Sequence, residues 1–232
     1  NSINQGLDSD IDSVMPRTRK RPVPSQQMTK RATIYLGVTG IALAVLIIGT
    51  VTNWVAASLT LCAALIYVFL YTMFMKRRSW NNIVIGGAAG ALPPLIGAVA
   101  VIGEVEVIGL YMFAMVFFWT PPHFWALSLK LKDDYAAASV PMLPVIAGER
   151  GTGIQILTYI ILLGFLAWVP YAAGFSGLTY PIVASLLTLG WMRKSVPLLG
   201  ANSQDHALSS YKFSLLYLFG LFLLLGLDPI LP

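Results

Sequence analysis

Apolar residues in this chain come in seven long stretches, at roughly 32–52, 54–75, 83–103, 107–129, 154–175, 178–192 and 213–231, with the charges held in the gaps. About 20 apolar residues are needed to cross the hydrocarbon core of a bilayer as a helix. In lipid the backbone has to satisfy its own hydrogen bonds, so helices are the natural reading of each stretch. The sixth is short and contains Pro181, which makes it the weakest span. The fold class expected is all-α: a polytopic transmembrane helix bundle with seven spans, forming a single integral-membrane domain over residues 1–232.

Composition agrees. Of 232 residues 57% are hydrophobic and 11% charged, and the mean hydropathy is +0.74. A soluble domain carries about a quarter charged residues. The single cysteine, Cys62 in LTLCAALIY, allows neither a disulfide nor a cysteine-based metal site. No signal peptide precedes the first span and the first residue is Asn, so the chain reads as lacking its true beginning.

The charges between the stretches alternate. Arg17, Arg19, Lys20, Arg21, Lys30 and Arg31 precede the first span, and Lys76, Arg77 and Arg78 follow the second. Lys130, Lys132, Asp133, Asp134, Glu149 and Arg150 follow the fourth; Arg193, Lys194, Asp205, His206 and Lys212 follow the sixth. The intervening turns are neutral or, in GEVE, acidic. Every basic loop therefore falls on one side, the cytoplasmic side or its organellar equivalent. The net charge of +5 fits that bias, and aromatic residues are not interleaved with the basic ones, so no nucleic-acid partner is expected. Residues 1–31 form an acidic and basic motif with its loop. The connections 130–153 and 193–212 are long for a bundle and are candidate caps.

The opening, NSINQGLDSDIDSVMPRTRKRP, holds the densest chemistry. Asn4, Asp8 and Asp12 are four apart and line one helix face. Two carboxylates and an amide oxygen are hard ligands suited to Mg²⁺. Asp10 falls about 200° around the helix from Asp8 and stands outside that stripe. Arg17 and Arg21, again four apart, place guanidinium groups beside the metal-binding stripe. That combination suits a diphosphate, whose oxygens a metal bridges and arginines fork.

This stretch resembles the first aspartate-rich motif of the intramembrane polyprenyl transferases, the UbiA superfamily. Asn4, Asp8, Ile11, Asp12, Met15, Arg17, Thr18 and Arg21 stand in its register. The family pattern usually closes with a glycine where Gln26 stands here, a departure expected to affect loop geometry rather than chemistry. Three further stretches narrow the resemblance to the protoheme IX farnesyltransferase (heme O synthase) branch: YTMFMKRRSWNNIVIGGAAGALPPLIGAVAV, FFWTPPHFWALSLKLKDDY and ASVPMLPVIAG. Members are similar to a nine-helix bundle with the site at its cytoplasmic end and the acidic motif at the end of the second helix. The seven spans here would then correspond to helices three to nine.

GGAAGALPPLIG lacks the Lys-Ser/Thr of a phosphate loop; Gly86 and Gly90 read as a close-packing face, with Pro93 and Pro94 kinking the span. Tyr71, Lys76 and Arg77 close the second span, where lysine and arginine either snorkel or reach a diphosphate; in the family this segment is implicated in the site. His123, behind two prolines within a span, needs a partner there. It has three open roles: a heme ligand or orienter, a proton shuttle, or a donor to a carbonyl freed by the prolines. Asp133 and Asp134, flanked by Lys130, Lys132 and Tyr135, stand where other members carry a second D-x₃-D motif. Neighbours on a helix diverge by about 100°, so one aspartate, Asp134 by preference, would face the site.

The resemblance implies transfer of a farnesyl group from farnesyl diphosphate to a vinyl group of heme B, giving heme O. Mg²⁺ would be held by Asn4, Asp8, Asp12 and one of Asp133 and Asp134. Arg17, Arg21, Lys76, Arg77 and Lys130 would bind the diphosphate, and Asp8, Asp12, Tyr71, Lys76, Arg77 and His123 form the candidate catalytic set. The lipid bilayer and a downstream heme-modifying enzyme of oxidase assembly are the expected partners. A bacterial inner membrane is expected, the mitochondrial inner membrane being the alternative, with the site facing the cytoplasm. The rivals are a UbiA-type enzyme acting on a quinone precursor and a transporter. A transporter would place ionisable groups at the midplane, whereas every carboxylate here lies near a span end.

Overall fold

In a computed structural model, residues 1–200 and 202–227 are described, and all regular structure among them is helical. Two short helices open the chain, α1 (Ser2–Leu7) and α2 (Ser9–Val14), followed by α3 (Lys30–Val51) and α4 (Trp54–Leu65). The last of these runs on without a break as a π-helix, Ile66–Met75. Then come α5 (Asn82–Ile102), α6 (Val107–Lys130), the short α7 (Lys132–Ala137), α8 (Leu143–Leu166) and the single turn α9 (Val169–Ala172). α10 (Thr179–Ser195) ends in a 3₁₀ turn, Val196–Leu199, before α11 (Ser203–Leu227). Seven helical segments are long and apolar enough to cross a membrane, and the protein is an integral, multi-pass membrane protein.

The seven expected spans are all present, with two boundaries moved. The sixth is a full span, because Pro181 sits in the first turn of α10, where a proline N–H would have no helical partner anyway. The fifth helix starts at Leu143 rather than near 154, and the seventh at Ser203 rather than near 213. Hydropathy marks where the lipid begins, and these helices start in the polar segments above it. The expected end of the seventh span, 228–231, lies outside the described residues. α8 bends at Gly148, whose φ of 70° is open to glycine and strained for other residues.

The core sits between α6, α8, α10 and α11, where Trp125, Leu129, Ile156, Ile160, Trp191 and Leu221 are fully buried. A seam of neutral polar groups runs through it. The Tyr111 and Tyr180 hydroxyls lie 2.6 Å apart, and Trp191 Nε1 donates to Ser210 Oγ at 3.1 Å. Ser210 Oγ is in turn 2.8 Å from Ser195 Oγ. Trp119 Nε1 donates to the Ser214 carbonyl (2.8 Å), and His123 Nδ1 is 2.6 Å from Ser214 Oγ. Such bonds cross from helix to helix and pin their rotation where lipid offers no hydrophobic drive.

At the rim, the Glu149 carboxylate accepts from Ser203 Oγ (2.5 Å), Gln204 Nε2 (3.2 Å) and Lys132 Nζ (3.4 Å). One side chain thus fastens α7 and the first turn of α11 to α8. The two long connections of the sequence are mostly helical and are joined here.

Candidate active site

Asp8 and Asp12 are buried, 0% and 2% exposed. A carboxylate removed from water costs several kcal/mol unless it is paired, and each has its own cation. Lys76 Nζ and Asn4 Nδ2, the latter at 2.5 Å, both bind Asp8 Oδ2. Arg21 Nη1 lies 3.1 and 2.9 Å from the two oxygens of Asp12. Arg21 reaches back because the chain folds over itself after α2: Thr18 Oγ1 donates to the Asp12 carbonyl at 3.1 Å and is itself buried.

The helix carrying this stripe is interrupted at Asp8, which ends α1 and begins α2 with φ −98° and ψ 15°. The opposite wall is the π-helix. Under α winding, at about 100° per residue, Lys76 would stand half a turn away from Tyr67. The wider π turn, closed by bonds such as Lys76 N to the Tyr71 carbonyl (2.9 Å), brings Tyr67, Tyr71 and Lys76 to one side. Thr72, buried on the same segment, donates to the Tyr67 carbonyl at 2.8 Å and lies 3.4 Å from Asn4 Nδ2. Gly86 makes room for this wall. A Cβ there would fall 2.2 Å from the Tyr71 ring, so this glycine is a packing glycine, as its place in the sequence suggests.

Together these groups enclose a cavity of about 200 Å³. Its polar lining is Asn4, Asp12, Arg17, Arg21 and Lys76, and Tyr67, Tyr71, Tyr135 and Phe124 complete the walls. Burial raises the Tyr135 phenol above its usual pKa, while the Arg17 guanidinium beside it pulls the other way. Arg77 forks onto Asp10, Nη1 to Oδ2 at 2.6 Å and Nη2 to Oδ1 at 2.8 Å. That bond holds the Asp10 carboxyl down to about 2 and raises the guanidinium. Asp10 is therefore ionised at every physiological pH, and any support it gives the fold is present above the ordinary carboxylate pKa of about 4 and is lost progressively as the pH falls from there through about 2.

The opening motif and the Tyr71–Lys76–Arg77 segment thus meet, as the sequence reading expects. Other expected residues stand elsewhere. Asp133 is exposed, Asp134 is half-buried, and neither lines the cavity; Tyr135, next in sequence, takes that wall. Lys130 is exposed at the end of α6 and also lies outside it. His123 is stacked between Trp119 and Tyr211, with ring centroids 4.0 and 4.6 Å away, on the α11 side of α6, whereas Phe124 faces the cavity. Tyr67 and Tyr135 line the cavity, Thr72 contacts Asn4 and Asp10 pairs with Arg77, and the spacing argument gives none of the four a place in the site. Gln26, at the position where the family pattern has glycine, has a φ of 62°. This left-handed turn costs about 1 kcal/mol for a residue with a Cβ, so the departure does affect the loop.

The donor chemistry fits Mg²⁺. Asn4, Asp8 and Asp12 offer hard oxygens from one stripe, and Mg²⁺ binds through one or two carboxylates, keeping waters and substrate phosphates for its other positions. Among the described residues no three Asp, Glu, His or Cys side chains converge, so the protein's own share in such a site would be at most two carboxylates with an amide.

The sequence profile of the UbiA prenyltransferase family matches residues 1–223. A protein from Thermus thermophilus named protoheme IX farnesyltransferase is 44% identical over 228 residues, 98% of this chain and 38% of that protein. Proteins of the same name from Bradyrhizobium and Brucella ovis are 42% and 43% identical. They align with 99% and 97% of this chain, which spans 75% and 73% of their lengths. A solved structure described as digeranylgeranylglyceryl phosphate synthase in membranes superposes with a TM-score of 0.79 at 19% identity, covering 99% of this chain and 80% of its own. It shares the fold. With its seven spans and its acidic stripe set against a basic wall, this chain belongs to the UbiA prenyltransferase family.

Proposed function

We propose that the chain carries the active site of a heme-farnesylating enzyme, which transfers the farnesyl group of farnesyl diphosphate to a vinyl group of heme B to give heme O. The observation that carries the reading is a pair of buried carboxylates at the end of an apolar bundle: Asp12 faces Lys76, Arg17 and Arg21 across one small cavity, and Asp8 lies behind its wall, bound to Lys76. Four cations, Arg17, Arg21, Lys76 and Arg77, stand around three carboxylates, Asp8, Asp10 and Asp12, and leave one positive charge to spare for a diphosphate. Heme as acceptor and farnesyl as donor rest on the names of the relatives.

Asn4, Asp8 and Asp12 would hold Mg²⁺, which when bound supplies Lewis-acid polarisation of the diphosphate. The chain's residues do the rest. Arg17, Arg21, Lys76 and Arg77 bind the diphosphate oxygens and stabilise the charge that grows on them as the farnesyl C–O bond breaks. Pyrophosphate leaves with the electron pair. A vinyl carbon of heme bonds to the allylic cation, and water adds to the cation left on the porphyrin side chain, losing a proton to give the hydroxyl. Tyr67, Tyr71, Phe124 and Tyr135 wall the cavity with rings that exclude water from the first cation. The site opens on the cytoplasmic side of a bacterial inner membrane in this reading.

The test uses the full-length protein in membranes with heme B and farnesyl diphosphate, with and without Mg²⁺. Heme O forming only with Mg²⁺ supports the proposal. Prenylation of an aromatic acid in place of heme would move the acceptor to a quinone precursor, and no prenyl transfer to either acceptor would overturn the assignment.

A further inference from the structure

The two oxygens of Asp8 are not equivalent. Oδ2 carries both Lys76 and Asn4, whereas Oδ1 has only a long 3.4 Å contact from Arg77 Nη2. That nitrogen is drawn away by two nearer acceptors, Asp10 Oδ1 at 2.8 Å and the Leu7 carbonyl at 3.1 Å, the latter at the break between α1 and α2. Asp10 holds the guanidinium from outside, beside a second cavity of about 450 Å³ lined by Ile11, Val14 and residues 137–140. Both partners of this fork are well exposed, 40% for Arg77 and 59% for Asp10. A pair so placed contributes little to stability. Its geometry matters more, since without the fork Arg77 is free to close on Oδ1, the oxygen of buried Asp8 that has no short hydrogen bond.

We propose that Asp10 is a positioning residue that keeps Arg77 off Asp8, leaving Asp8 Oδ1 open to a divalent cation and the remaining N–H groups of Arg77 open to the incoming diphosphate. The proposal rests on the reading of this pocket as a metal–diphosphate site. It assigns a task to the one aspartate of the opening motif that lies outside the metal-binding stripe.

The test uses the full-length protein in detergent, with Mn²⁺ as the probe and its electron paramagnetic resonance signal as the measure of free ion. Asp10→Asn is expected to weaken Mn²⁺ binding by about tenfold, the usual cost of losing a residue that supports a metal ligand. KM for farnesyl diphosphate should rise by more than kcat falls, and Asp10→Glu should recover most of both losses. In an Arg77→Gln background, Asp10→Asn should change Mn²⁺ affinity by less than about twofold, since no guanidinium remains to be restrained. Wild-type Mn²⁺ affinity in Asp10→Asn overturns the proposal. So does an equal loss in the Arg77→Gln background, which would mark Asp10 as general negative charge only. Asp8→Asn separates the two levels. If it leaves Mn²⁺ binding intact, the metal-site reading itself fails; if it abolishes binding while Asp10→Asn does nothing, only the positioning role fails.

Discussion

Two polar clusters occupy this apolar molecule, and they are built on opposite terms. The seam between α6, α10 and α11 is neutral, and its hydroxyls, indoles and imidazole pair among themselves. The pocket at the end of α1 and α2 is charged, and each carboxylate is matched by a lysine or arginine. A neutral pair closed on itself holds two helices together and has nothing left to exchange. An ion pair can be traded, because a cation and an anionic ligand arriving together replace both partners without leaving a charge bare.

That contrast sets the order of expected effects. Asp8→Asn or Asp12→Asn should lower farnesyl transfer by about 10³-fold, the scale of losing a main electrostatic group of a site, measured as heme O formed per minute with thermal unfolding followed alongside. Gly86→Ala strikes the same pocket through packing. Its methyl displaces the Tyr71 ring, and a loss of about 1–3 kcal/mol in stability is expected together with a severalfold fall in turnover. On the seam, Ser210→Ala removes the partner of both Trp191 and Ser195. Interhelical bonds in lipid are worth about 0.6 kcal/mol each, so unfolding should shift by about 1 kcal/mol while turnover stays within twofold of wild type. His123→Gln sharpens the line between the regions: KM for farnesyl diphosphate should hold within about twofold, because the ring stacks on Trp119 and Tyr211 and not on the carboxylate pocket. The smallest effect is expected at Gln26→Gly. Relief of the left-handed turn outweighs the added freedom of the unfolded chain by about 0.5 kcal/mol, a small gain in thermal stability.

Much of this was legible in the residues. A run of apolar side chains reports lipid contact directly, so the seven spans stand out, and a stripe at four-residue spacing reports a shared helix face: Asn4 bonds Asp8, and Asn4 and Asp12 line one cavity. What escaped depends on departures from regular winding. Nothing in IYVFLYTMFM announces a π turn, yet that turn carries Tyr67 onto the same wall as Lys76. Asp10 was set aside for pointing away from the stripe, which is true; its partner comes from 67 residues later in the chain, beyond the reach of any local rule. Asp133 and Asp134 drew notice for their charge, whereas the side chain that lines the cavity is the neighbouring Tyr135. The early starts of α8 and α11 were hidden because hydropathy is silent about a helix standing in water.

Those early starts tie the rim to the thickness of the lipid. α11 has 25 residues, about 38 Å at 1.5 Å each, against about 30 Å of hydrocarbon, and α8 breaks at Gly148, just before Glu149. At the polar start of α11, Glu149 joins α8 to Ser203, Gln204 and, through Lys132, to the helix that bears Tyr135. Hydrophobic mismatch acts on tilt, and the Glu149 bonds are the route by which a tilt of α11 would reach α7, which bears Tyr135. The expected outcome is a turnover that varies with acyl-chain length in the surrounding bilayer, measured in vesicles of graded thickness.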